Sequence, residues 1–206
     1  MIPTTRHQKD VIAELTDLMA GKRNRMSTYM YNPLYKDETL KTIVRYFVEN
    51  VMGCEPHIAF ESVTAHMLSV FHLTKEATNA RYIPQVPEFK GEPGKNFVYY
   101  AYKSELNLRK KDMILYLYKR VLSGELKAFP SNYFFSDTQL KVRTCCDYYF
   151  FEKLKMTPKQ FMSLLPKDFK DARLAIVLST IYDNVYELVE DVYPEFLTNT
   201  EKAANF

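Results

Sequence analysis

The chain is short of glycine, with five in 206 residues, and it has no tryptophan and only three cysteines. Few glycines exclude phosphate-cradling glycine-rich loops and a succession of tight hairpins, which need backbone tolerant of positive φ. Cys54, Cys145 and Cys146 are odd in number and two are adjacent, so no disulfide framework is read. No apolar run approaches the roughly 20 residues that cross a bilayer. No basic segment, apolar core and cleavage site open the sequence. These absences predict a soluble, cytoplasmic protein of a reducing compartment with no membrane partner. Net charge is only +3, so global electrostatics commit the chain neither to nucleic acid nor to a membrane.

What is present is apolar and aromatic. Hydrophobic residues make up 47% of the chain, including 16 Tyr and 14 Phe, enough to build an ordered core in one large or two small domains. The second half also reads as a diverged copy of the first. Shifting the sequence by 103 positions, which carries Gly21 onto Gly124, aligns Ile12, Leu15, Leu18 and Met19 with Leu115, Tyr118, Val121 and Leu122. The same shift carries Tyr46-Phe47-x-Glu49 onto Tyr149-Phe150-x-Glu152. A duplicated module without an evident catalytic set predicts a binding scaffold; two copies are fewer than a solenoid needs.

The periodicity predicts an all-α fold. A helix over 7–20 should stop at Gly21, and Asp37 should cap a helix over 38–52 with the stripe Leu40, Ile43, Val44, Phe47, Val48 and Val51. Shorter helices should follow Pro56 and run to about Leu73. In the second copy, helices are expected over 111–123, over 137–154 behind a Ser136/Gln139 capping box, and after Thr157-Pro158-Lys159-Gln160. Pro166 should end that last helix, a longer one should cover about 170–183, and a final turn or two should span 186–192. The Pro- and Gly-containing stretch 74–96 predicts an irregular connector, giving a first module over 1–73 and a second over 97–206. Pro87-Glu88-Phe89 and Pro194-Glu195-Phe196 stand near the ends of the two copies.

Candidate chemistry is sparse. Cys54, His57, His66 and His72 match no zinc spacing and read as ordinary helix residues, so no metal or cofactor is expected. Cys145 and Cys146 fall mid-helix and read as buried structural thiols. Glu49 and Glu152 read as structural carboxylates, each bonding an amide or a tyrosine hydroxyl of its own module, and a non-enzymatic protein is expected. The basic clusters have functional reach. Lys153, Lys155, Lys159, Lys167, Lys170 and Arg173 face only Asp168 and Asp171, whereas residues 50–72 of the first copy contain no Lys or Arg. Three short-linked helices there would make a helix-turn-helix-like unit whose third helix begins with Lys170 and Arg173. Two more clusters are Lys103, Arg109, Lys110, Lys111, Lys119 and Arg120, and Lys22-Arg23-Asn24-Arg25. From Asp183 onward, Asp183, Glu187, Glu190, Asp191, Glu195 and Glu201 face only Lys202, an acidic edge suited to a protein partner.

Gly124 to Pro130, Tyr149 to Glu152 and Tyr186 to Pro194 form the pattern Gly-x4-Phe-Pro, Tyr-Phe-Phe-Glu, Tyr-x-Leu-x4-Tyr-Pro. This half of the chain resembles small helical repeat modules in uncharacterised proteins of Bacillus-type bacteria and their phages. It is also loosely similar to the short helical repeats attached to homing endonucleases, which are taken to bind DNA. The tryptophan of that pattern after Tyr-Pro is missing. The resemblance implies a phage or mobile-element accessory protein and transfers no catalytic residue. The leading expectation is therefore a DNA-binding regulator or accessory protein that uses Lys155, Lys159, Lys167, Lys170 and Arg173, with the first module as a packing or homodimer surface. The alternative is a protein–protein interaction module, such as a phage-encoded inhibitor or adaptor of a host protein, anchored by Tyr29, Tyr31 and Tyr35 around Pro33.

Overall fold

Apolar stripes at helical spacing, punctuated by proline and by left-handed turns, run through the whole chain and decide its class. In a computed structural model, which describes residue 3 and residues 5–197, all regular structure among the described residues is helical. The chain divides into two compact units between Leu108 and Arg109. The stretch 74–96 therefore lies inside the first unit, where it holds a short helix, a 3-10 turn and the first residues of a longer helix.

In the first unit, α1 (Arg6–Met19) opens on a Thr5/Gln8 capping box and buries Val11, Leu15 and Leu18. It ends as predicted, with Gly21 at φ 70° and the Lys22 amide reaching back to the Asp17 carbonyl. Against it packs α2 (Lys36–Tyr46), which continues without a break as a π-helical segment, Phe47–Met52. Tyr35, not Asp37, occupies the N-cap; Asp37 sits in the first turn, where its charge suits the helix dipole, and pairs with Lys41. Leu40, Ile43, Val44, Phe47 and Val48 are fully buried, but Val51 is 36% exposed. The wider π turn rotates it out of the 3.6-residue stripe.

Three short helices follow, α3 (Pro56–Ser62), α4 (Ala65–Val70) and α5 (Thr74–Thr78), and then the longer α6 (Pro93–Leu106), which packs on α2, α3, α4 and α5. The approach of α6 requires Gly94: a Cβ there would stand 1.9 Å from the Val63 carbonyl oxygen. α6 ends at Asn107 in the left-handed conformation.

In the second unit, α7 (Lys110–Leu122) ends at Gly124 with φ 82° and packs on α8 (Thr138–Cys146), which again continues as a π-helical segment, Asp147–Lys153. The expected Ser136/Gln139 box is not formed. Asp137 takes the N-cap position with φ 50°, Ser136 accepts from Lys141, and Gln139 turns away to Asp191. The Thr157/Gln160 box does form and opens α9 (Pro158–Met162). Pro166 starts α10 (Pro166–Asp171) instead of ending its predecessor, as its fixed φ and missing N–H suit a first helical position.

The helix expected over 170–183 is broken in two: residues 172–174 are not helical, and helical structure resumes only over 175–181. α10 stops at Asp171, Arg173 adopts φ 58°, and the Leu174 amide bonds back to the Phe169 carbonyl, closing a Schellman turn. A π-helical turn, Val177–Ile181, and α11 (Val185–Val192) complete the unit, with α11 lying on α8 and α9. Its aromatic core gathers Phe150, Phe161 and Phe169, and Cys145 and Cys146 are fully buried within it. Burial pushes both thiols well up, as expected of structural cysteines. Glu201 and Lys202 lie outside the described residues. No described helix is long and apolar enough to cross a membrane.

Candidate nucleic-acid interface

Which cations are free for a ligand is decided by their neighbours. The cluster before Gly124 is largely neutralised inside its own unit. Arg109 bonds Asp112 through two nitrogens, Lys110 pairs with Asp137 and Arg120 with Glu125, while Lys119 lies 5.0 Å over the Tyr148 ring. The cluster after Gly21 behaves alike: Lys22 pairs with Asp17, and Arg23 with Glu14. Partial burial opposes ionisation of Glu14, but hydrogen bonds from Ser27 and the charge of Arg23 outweigh it and hold the carboxyl below its usual range. Lys153 lies 5.1 Å over Tyr149.

The five cations expected at the interface are different. Lys155, Lys159, Lys167, Lys170 and Arg173 are all exposed, and none forms an ion pair with a described residue. Lys155 (φ 56°) and Arg173 stand on left-handed turns just beyond helix ends; Lys159 and Lys167 follow the prolines that open α9 and α10. The helix-turn-helix reading requires correction on this geometry. α9 and α10 have five and six residues, and neither can lay an extended recognition face in a groove.

Lys170 and Arg173 come together at one cavity of about 430 Å³, formed where the end of α7 and the loop after it meet the turn following α10. Lys127, Ala128, Phe129, Pro130 and Ile176 complete most of its wall, and no carboxylate lines it. Lys155, Lys159 and Lys167 lie outside this cavity. Lys127 belonged to none of the basic clusters read from the sequence; its one signal was the turn-forming stretch between Gly124 and Pro130.

The repeated glutamates are placed differently from each other. Glu49 accepts from the Tyr102 hydroxyl at 2.8 Å, while Arg45 lies 4.6 Å over the Tyr102 ring, donates to the Ala101 carbonyl and pairs with Glu105. Glu152 is exposed, and the matching role in the second unit falls to Asp147. There Tyr193 donates to Asp147 at 2.8 Å, and Arg143 lies 4.9 Å over the Tyr193 ring, donates to the Val192 carbonyl and pairs with Glu195. Burial foremost, then nearby negative charge, raises both tyrosine pKa values, so the hydroxyls remain donors. Each arrangement clamps one helix end onto another helix. The sequence signal, an Arg followed four residues later by a carboxylate, was hidden because it recurs five residues out of step with the Tyr-Phe-x-Glu match. Cys54, His57, His66 and His72 are partly or fully exposed, and no group of three metal-ligating side chains occurs among the described residues.

Residues 114–198 match a family described as Protein of unknown function (DUF4046). The match falls within the second unit and includes Lys127 and all five of the unpaired cations. No curated protein and no solved structure matches the chain.

Proposed function

We propose that this chain is a non-enzymatic DNA-binding accessory protein or regulator, derived from a phage or mobile element, whose second unit contacts phosphates through Lys155, Lys159, Lys167, Lys170 and Arg173. The observation that carries this reading is selective pairing. The other basic clusters are largely absorbed by carboxylates or rings of their own unit, whereas these five cations are exposed and lack ionic partners. Phosphate contacts need exposed, unneutralised cations and no recognition helix, and they position a protein on nucleic acid without reading sequence.

The two units are proposed to descend from one helical module, supported by the shared α-to-π continuation and by matching Schellman turns, with Leu73 bonding back to Leu68 around His72 and Leu174 to Phe169 around Arg173. Binding to a labelled random-sequence duplex should fall steeply with salt. Replacing Lys170→Glu and Arg173→Glu together should weaken it about tenfold or more at low salt, where each lost phosphate contact counts most. Unchanged binding in that variant would remove the assignment.

A second reading, a surface for a host protein or a second copy of this chain, is favoured by one observation. Tyr29, Leu34 and Tyr35 are exposed, Leu34 by 83%, around the Pro33 turn. Tyr31 does not join them: its hydroxyl is anchored at 2.6 Å to the buried Glu76. Sedimentation over a wide concentration range, repeated with Leu34→Asp, tests the self-association form. A mass that never rises above the monomer eliminates the homodimer.

A further inference from the structure

We infer that the cavity beside Lys170 and Arg173 receives one base of a single-stranded nucleic acid, so that the protein prefers single strands to duplex. The inference rests on the nucleic-acid reading above and gives it a substrate class.

Three features of the cavity argue for this occupant. Its volume, about 430 Å³, lies in the range of small-ligand sites, with room for a single nucleoside and too little for a helix or duplex edge. Its wall is apolar and already ordered. Phe129 packs with the nearly parallel rings of Tyr118 and Tyr133 and edge-on against Phe134, while Pro130 and Ile176 offer unhindered apolar surface. Its rim carries Lys127, Lys170 and Arg173 with no carboxylate among the lining residues, so an occupant must bring negative charge.

An apolar slot with a cationic rim would suit any flat, anionic ligand. What selects a strand is the remaining charge. Three cations at the rim would satisfy a small anion, yet Lys155, Lys159 and Lys167 stand exposed and without ion pairs in the same unit outside the cavity. They are available to further charges of a polyanion that places a flat, largely apolar group beside each charge. A single strand has this composition. In a duplex the bases are stacked and paired, and their faces are closed to such a cavity. The shortness of α9 and α10 points the same way, since neither can read a duplex groove.

Fluorescence anisotropy with the intact chain tests this using three probes at equal salt: a short thymidine oligonucleotide, an abasic strand of the same length, and a duplex of the same length. The thymidine strand should bind at least about tenfold more tightly than either of the others, because one seated base contributes on that scale. Ala175→Trp, which fills the cavity from an exposed position, should bring the thymidine strand down to the abasic level. Ala128→Trp fills it from the opposite wall and replaces the first variant if that one unfolds. Equal binding of all three probes overturns the cavity assignment and leaves the phosphate-binding reading intact. Binding of none, even at low salt, overturns both.

Discussion

The two units share backbone devices at matching places and differ in the charge carried on them. In the first, Gly53 takes the left-handed turn after the π-helical segment and the Cys54 amide reaches back to the Val48 carbonyl; in the second, Lys155 takes that turn and Met156 reaches back to Phe150. Pro56 and Pro158 open the next helices, so His57 corresponds to Lys159. α4 and α10 then close with the same Schellman pair: Leu73 to Leu68 and Leu174 to Phe169, both at 2.7 Å, with His72 and Arg173 left-handed between them. In this register His66 and Ser69 answer to Lys167 and Lys170. Five positions that are Lys or Arg in one unit are thus Gly, His, His, Ser and His in the other. The comparison teaches that the same helix-ending turns and buried positions can carry quite different solvent-facing charges. Exposed substitutions of this kind typically alter stability by less than about 0.5 kcal/mol.

The sharpest break between the units should come from Gly94→Ala. The new Cβ meets backbone, not a movable side chain, so a loss of about 3 kcal/mol or more is expected in the first unit. A thermal melt should show an early transition, with nucleic-acid binding by the second unit persisting above it; a single unshifted transition would refute the close approach.

The two arginine clamps test whether the units are held alike. Arg45→Met and Arg143→Met each remove a ring contact, a carbonyl bond and an ion pair, and each should cost about 2 kcal/mol in denaturant unfolding. A large difference between them would mean that only one clamp is structural.

Grafting is the constructive test. His57→Lys, His66→Lys, Ser69→Lys and His72→Arg together should give the first unit four of those five charges, raise affinity for single strands about tenfold, and steepen the salt dependence. No change in the salt slope would show that matching backbone turns do not present matching faces.

The smallest effect concerns the turns themselves. A non-glycine residue in the left-handed region costs about 1 kcal/mol, so His72→Gly and Arg173→Gly should each stabilise by roughly that amount. Only Arg173→Gly should also weaken nucleic-acid binding, and equal binding losses in both variants would count against the assignment of the face.

Some of this was legible from local chemistry and some was not. The Gly21 and Gly124 stops, the Thr157/Gln160 box and the buried Cys145 and Cys146 were readable because each depends on residues within a turn or two. Val51 and the helix expected over 170–183 were misread for one reason: a π turn or a Schellman turn closed by Arg or His leaves no proline or glycine to mark it. The exposure of the five cations followed from their surroundings in the chain. Their lack of ion pairs did not, since Arg120 and Lys110 looked equally available until Glu125 and Asp137 were found beside them. The cavity was out of reach for the same reason, because Lys127 and Arg173 meet only when the loop after α7 packs against the turn after α10.

The sequence by itself therefore determined the helical class, the main stops and starts, and the apolar faces, since these follow from backbone preferences and periodicity acting over a few residues. Tertiary structure alone decided which charges are neutralised, where the π segments rotate a stripe out of the core, and which distant side chains line a common cavity. The cavity and the Lys110–Asp137 pair bring together residues tens of positions apart, and even a near pair such as Arg120 with Glu125 forms only because the turn after α7 folds the chain back.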